Sequence, residues 1–110
     1  MIMTDKHILD QLYTVIAARK GADPETSYTA RLFAKGTAKI AQKVGEEGVE
    51  TVIAALAETP EKVASESADL LYHLTVLWAD QGVKPEDVWN ILAERQGISG
   101  IAEKASRTDK

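Results

Sequence analysis

The sequence predicts an all-α fold of about five helices, and three observations carry the prediction. Apolar residues recur at intervals of three and four between Gly, Pro and Thr punctuation. No Val/Ile/Thr-rich alternating run is bounded by turn residues, so strands have no support. Alanine is abundant and prolines number 3, a composition that suits helices.

Helix 1 is expected after Thr4, whose hydroxyl can cap free amides, with Asp5 in the first turn and Ile8, Leu9, Leu12, Tyr13 and Ile16 on one face through Ala18. His7, in its first turn, reads as an ordinary exposed histidine. Residues 21–27 collect Gly, Asp, Pro and Ser and read as a loop that ends on Ser27, the cap of a short helix from Tyr28 to Lys35. Gly36 ends or bends that helix, and Thr37 is the expected cap of the next, from Ala38 to about Glu58. Thr59-Pro60-Glu61 restarts the chain, with threonine as cap and proline at the first helical position. This fourth helix stops at Gly82, and the fifth opens at Pro85 and runs to about Gln96. Helices 38–58 and 60–81 form an antiparallel hairpin within a bundle that dimerisation is expected to complete. Residues 97–110 read as a polar tail whose order the sequence leaves open.

At 110 residues without cysteine, the chain is expected to be one domain with no disulfide or thiolate metal site. No apolar run is long enough to span a membrane, and the N-terminus lacks a signal-peptide pattern, so a cytoplasmic protein without membrane partners is expected. A net charge of −4 argues against nucleic acid as a partner.

Two acidic words stand out: Glu47-Gly-Val-Glu50 and Glu66-Ser-Ala-Asp69. On a helix, a three-residue interval stacks both carboxylates on one face. At about 100° per residue, Lys39, Lys43, Glu46, Glu47 and Glu50 fall within an arc of roughly 100°, and the rest of that helix is almost wholly apolar. Lys62, Glu66, Asp69, His73 and Asp80 share a similar strip on the next. Such strips are commonly solvated faces. Crowding of like charges is unfavourable unless a cation offsets it, however, and a tight hairpin turns the two pairs toward each other.

Converging carboxylates without cysteine suit a hard cation, Mg²⁺ with Mn²⁺ as substitute. A di-iron centre is rejected because it needs Glu-x-x-His on two helices, and the sequence has none. His73 reads as a core or supporting residue. Arg31, Lys35, Lys39 and Lys43 recur every fourth residue ahead of the first acidic word and are candidates for phosphate contacts; Lys39 and Lys43 can equally pair with Glu46 and Glu47. Trp78, Trp89 and Tyr72 read as packing residues.

The runs Ser27-Tyr-Thr-Ala-Arg-Leu-Phe-Ala-Lys-Gly36, Ile40-Ala-Gln-Lys-Val-Gly-Glu-Glu47, Glu66-Ser-Ala-Asp-Leu-Leu-Tyr-His73 and Ser99-Gly-Ile-Ala-Glu-Lys-Ala-Ser-Arg107 resemble the phosphoribosyl-ATP pyrophosphatase family of histidine biosynthesis. The paired acids are also similar to the wider MazG-like all-α nucleotide pyrophosphatases. The resemblance implies Mg²⁺-dependent hydrolysis of phosphoribosyl-ATP to phosphoribosyl-AMP and pyrophosphate by a homodimer or larger assembly. In many bacteria this family is fused to a cyclohydrolase; at 110 residues and without the cysteines its zinc site needs, this chain is expected to be the stand-alone form. Carried over by position, Glu47, Glu50, Glu66 and Asp69 hold the metal, with Glu47 central to catalysis. Glu46 is the candidate for orienting or deprotonating water, and Lys104 and Arg107 are candidates for reaching the phosphoribosyl group. Two alternatives stand beside this: a house-cleaning pyrophosphatase acting on dUTP, dCTP or a modified nucleotide, and a non-catalytic helical dimerisation module.

Overall fold

The computed structural model describes residues 7–96, which form five α-helices and, among the described residues, no strand. They are α1 (Ile8–Ala18), α2 (Tyr28–Lys35), α3 (Thr37–Ala57), α4 (Pro60–Gln81) and α5 (Pro85–Gln96). The expected tail, with Lys104 and Arg107, lies outside the described residues, as do Thr4 and Asp5.

Local signals set most boundaries. Ser27 accepts from the Ala30 amide, and Thr59 accepts from the Lys62 amide with Pro60 opening α4 behind it. Gly82 closes α4 at φ 74°, in the left-handed region that favours glycine. Two expected caps are corrected. α1 begins at Ile8 rather than after Thr4, because the Nδ1 of His7 accepts from the Leu9 amide at 3.1 Å, as a hydroxyl would. Thr37 is the first residue of α3 and not its cap; its hydroxyl donates to Asp80 Oδ2 at 2.7 Å instead. Gly36 serves as both the C-cap of α2 and the N-cap of α3, at φ 97° and ψ 174°. A Cβ there would meet open space, so its constraint is the backbone alone. Gly36→Ala is therefore expected to cost about 1–3 kcal/mol in urea denaturation, the strain of a conformation nearly confined to glycine.

α3 and α4 pack along their lengths as an antiparallel hairpin closed by Glu58 and Thr59. Thr37 at the start of α3 meets Asp80 near the end of α4, while Glu47 at mid-helix meets Asp69. α1 crosses α4, and α2 packs on α3 and α4. The core lies where these helices converge, on Ile16, Leu32, Ile40, Val76 and Ala79, with Leu12, Tyr13, Phe33, Tyr72 and Leu77 against it. Trp78 and Trp89 meet edge to face at 6.0 Å, and the Trp89 indole donates to Asp10, so these aromatics serve packing as expected. Among the described residues no helix is long and apolar enough to cross a membrane.

α3 leaves part of its apolar surface uncovered within the described chain. Val49, Val52, Ile53 and Leu56 are 59, 56, 49 and 83% exposed. Within the described chain no helix covers the face of α3 that bears them, because α2 and α4 occupy its other sides.

Candidate metal centre

The hairpin register brings the two acidic words together. Glu47 of α3 and Glu66 and Asp69 of α4 each place a carboxylate oxygen within 4.8 Å of the others. Glu47 is buried, Glu66 half-buried and Asp69 exposed, so the cluster opens from the helix interface toward solvent. Glu50 reaches it through Glu66, to which its carboxyl is adjacent.

The electrostatics of this group are unfavourable as it stands. Burial, then the charge of Glu50 and a hydrogen bond that forms with it when one carboxyl is protonated, push Glu66 above its ordinary 4.5. Lys62, 3.8 Å from Glu66, opposes them and Asp69 adds to them. The Oε1 atoms of Glu47 and Glu66 are buried and accept no hydrogen bond from the described residues. A buried carboxylate oxygen without a donor is costly unless a cation is its partner. Hard oxygen donors, convergent and unpaired, fit Mg²⁺ or Mn²⁺.

The remaining candidates lie around the trio at different distances. Glu46 is exposed; Gln42 donates to it at 2.8 Å and Lys43 pairs with it at 3.5 Å. The Gln42 hydrogen bond, then the Lys43 contact, hold its carboxyl below the usual 4.5. Lys43 is half-buried, and the neighbouring Tyr28 and the Glu46 contact keep its ammonium above the ordinary 10.5. Lys39 lies one turn before it and helps to lower Glu46. Arg31 and Lys35 are exposed on α2, and the Arg31 Nε donates to the Pro24 carbonyl at 3.2 Å. Asp80, expected on the acidic strip, is instead tied to Thr37 and Gln81 at the far end of the hairpin.

A group that periodicity did not single out adjoins the trio. The Tyr28 hydroxyl lies 2.8 Å from Nε2 of His73, whose Nδ1 lies 2.8 Å from the Asp69 carbonyl. His73 is buried, as its supporting role requires. The signal for Tyr28 was its place beside the Ser27 cap, which fixes how α2 enters the bundle. Its partner on α4 lies 45 residues away, beyond the reach of spacing.

An all-α chain whose central hairpin brings Glu47, Glu66 and Asp69 together has the architecture expected of the MazG-like all-α class. Comparison narrows the class. The family described as phosphoribosyl-ATP pyrophosphohydrolase matches residues 9–96. The chain is 68% identical over 100 residues to a protein of Azospirillum brasilense named phosphoribosyl-ATP pyrophosphatase, covering 91% of this chain and 90% of that one. Proteins of the same name from Paramagnetospirillum magneticum and Rhodospirillum rubrum are 64 and 63% identical, over 96 and 91% of this chain and 97 and 86% of theirs. The chain belongs to the phosphoribosyl-ATP pyrophosphohydrolase family.

Proposed function

We propose that the protein hydrolyses phosphoribosyl-ATP to phosphoribosyl-AMP and pyrophosphate in the cytoplasm, using Mg²⁺ held by Glu47, Glu66 and Asp69 with Glu50 completing the acidic wall. The observation that carries the metal is the pair of buried carboxylate oxygens, without a partner among the described residues, within a convergent trio. What supports the substrate is family membership across residues 9–96. The cation, when bound, supplies positive charge for phosphate oxygens and a hydrated surface for attack at phosphorus.

The chain's own groups then have separable tasks. Lys43, kept protonated and adjacent to the trio, meets a phosphate oxygen, with Lys39 one turn behind it. Arg31 and Lys35 extend the basic surface along α2. Glu46 orients water rather than taking its proton, because a carboxylate held below its ordinary range is a poor base. Lys104 and Arg107 remain candidates for the phosphoribosyl group. The direct test is pyrophosphate release from phosphoribosyl-ATP with Mg²⁺, its loss on chelation and its return with Mn²⁺.

Cation binding also has a signature in stability. Glu66 carries a raised folded-state pKa, so its contribution to the cation-free fold is best below about pH 4.5 and is lost as pH rises through the raised value. Without divalent cation, the wild type is expected to lose stability relative to Glu66→Gln between acid and neutral pH. Mg²⁺ is expected to raise the wild-type melting temperature at neutral pH and to have little effect near pH 4. Thermal unfolding of both proteins, with and without cation, measures this.

The assembly is a homodimer or larger, formed through the exposed apolar face of α3. Val49 and Ile53 on that face line a groove of about 590 Å³ with Gln42, Gly45, Glu46 and Glu50. Glu46 and Glu50 place the groove beside the acidic cluster. Ile53→Asp is expected to shift the protein to monomer in light scattering and to reduce turnover with it.

A further inference from the structure

Glu66, Asp69 and His73 fall within an arc of about 60° on α4, with His73 one turn beyond Asp69. The His73 ring is buried and meets two tyrosines edge to face, Tyr28 of α2 at 5.8 Å between centroids and Tyr72 of α4 at 5.3 Å. Both of its nitrogens are engaged. A carbonyl only accepts, so Nδ1, 2.8 Å from the Asp69 carbonyl oxygen, is the donor there. Nε2 of the neutral ring is then an acceptor, and the Tyr28 hydroxyl donates to it at 2.8 Å. The phenol is itself fixed, because its ring stacks on Tyr72 at 6.4 Å and the adjacent Thr29 is hydrogen-bonded to the Tyr72 hydroxyl.

A side chain that bonds the carbonyl four residues back shares it with the helical amide and tilts it from the helix axis. The turn of α4 that carries Asp69 is thus set by a ring whose own orientation is fixed from α2. This matters most for Asp69. Within the trio Glu47 is held by burial, and Glu66 by partial burial with Lys62 3.8 Å away, whereas Asp69 is exposed. Its carboxylate hangs on one methylene, one fewer than a glutamate's, so its place follows the backbone closely.

We propose that His73, oriented by Tyr28, is a positioning residue for Asp69: the hydrogen bond from Nδ1 to the Asp69 carbonyl sets the turn of α4 that aims this carboxylate at Glu47 and Glu66. The proposal rests on the trio being a cation site, as read above, and deepens that reading by naming what holds its exposed ligand. It also couples the seating of α2 to cation binding, because the bond that orients the ring comes from α2.

The test is the Mn²⁺ affinity of the full chain without nucleotide, measured by calorimetry, with cation-free thermal unfolding alongside. Two substitutions divide the functions of the ring. His73→Asn sets an amide nitrogen near the place of Nδ1, so it keeps the donor to the Asp69 carbonyl and loses the partner of Tyr28. His73→Gln sets its amide near the place of Nε2, so it keeps an acceptor for Tyr28 and loses the donor to Asp69. His73→Gln is expected to weaken Mn²⁺ binding by about tenfold and His73→Asn by only about threefold, while the two unfold at similar temperatures. Tyr28→Phe, which keeps the ring without its outer partner, is expected to match His73→Asn. Wild-type affinity in His73→Gln, or a loss in His73→Asn as large as the one in His73→Gln, overturns the positioning role and leaves His73 as a contact that seats α2. Should His73→Gln fail to fold, Tyr28→Phe decides, and unchanged Mn²⁺ affinity there overturns the proposal. Mn²⁺ binding that Glu47→Gln and Asp69→Asn leave unchanged overturns the trio as the cation site and the positioning role with it. Binding that depends on the trio and ignores His73 overturns the positioning role alone.

Discussion

Glu47→Gln is expected to reduce Mg²⁺-dependent turnover by about a thousandfold or more, a loss of about 4 kcal/mol in transition-state stabilisation. Glutamine keeps the shape of the side chain and one oxygen but removes the charge, so the change isolates electrostatics from packing. Glu47 is the most buried member of the trio, and one of its oxygens has no partner among the described residues. Whatever cation binds there loses its least solvated ligand. Asp69→Asn should behave similarly in turnover. Its backbone carbonyl, which meets His73, is untouched, so loss of activity there would report on the carboxylate. Both variants are expected to fold. Relief of repulsion among the clustered acids is expected to raise the cation-free melting temperature of Glu47→Gln by about 2–5 °C. Retained turnover in Glu47→Gln would remove the trio from the reaction, whatever its effect on stability.

The second large effect concerns substrate choice. Pyrophosphate release from phosphoribosyl-ATP is expected to exceed that from ATP, dUTP or dCTP by about a hundredfold or more in kcat/KM. In the proposed mechanism the acidic trio and Lys43 address the phosphates and the cation, which all four nucleotides share. Discrimination therefore has to arise from the surround, where a site built to pair a substrate group leaves its own polar groups unmatched against an analogue lacking it. Comparable rates on a deoxynucleotide would favour the house-cleaning reading. Absence of turnover on every nucleotide, with the helical assembly intact, would favour a dimerisation module.

How much of this was legible depended on the range of the interaction concerned. Ser27, Thr59-Pro60 and Gly82 announce their roles because a cap or a left-handed closure is decided within a few residues. The meeting of the acidic words was also legible, since a tight turn between two long helices leaves little freedom in register. The wheel placed Glu46 and Glu47 in one arc, but adjacent residues point about 100° apart. Only α4 and the basic neighbours decide that Glu47 turns inward and Glu46 outward. Asp80 shared the acidic strip of α4 yet serves Thr37, because the same register that unites the mid-helix acids carries the helix end elsewhere. His7 was missed as a cap because hydroxyls and carboxylates dominate that position, although an imidazole nitrogen accepts equally well. Apolar periodicity marked α3 as too apolar for the chain alone, and packing decides that the uncovered face is the one bearing Val49, Val52, Ile53 and Leu56.

The hairpin closed by Glu58 and Thr59 makes the separation between the two acidic words a constant of the design. One residue inserted between Glu50 and Thr59 would rotate one word by about 100° relative to the other and lift it by about 1.5 Å. Deletions there act in the same way, in the opposite sense. The 19–27 connection carries none of the clustered acids and leads into α2, so length changes there leave the relation between the words intact. As the chain diversifies, its tolerance for insertion is therefore expected to concentrate between α1 and α2, while the interval from Glu47 to Asp69 changes by substitution alone.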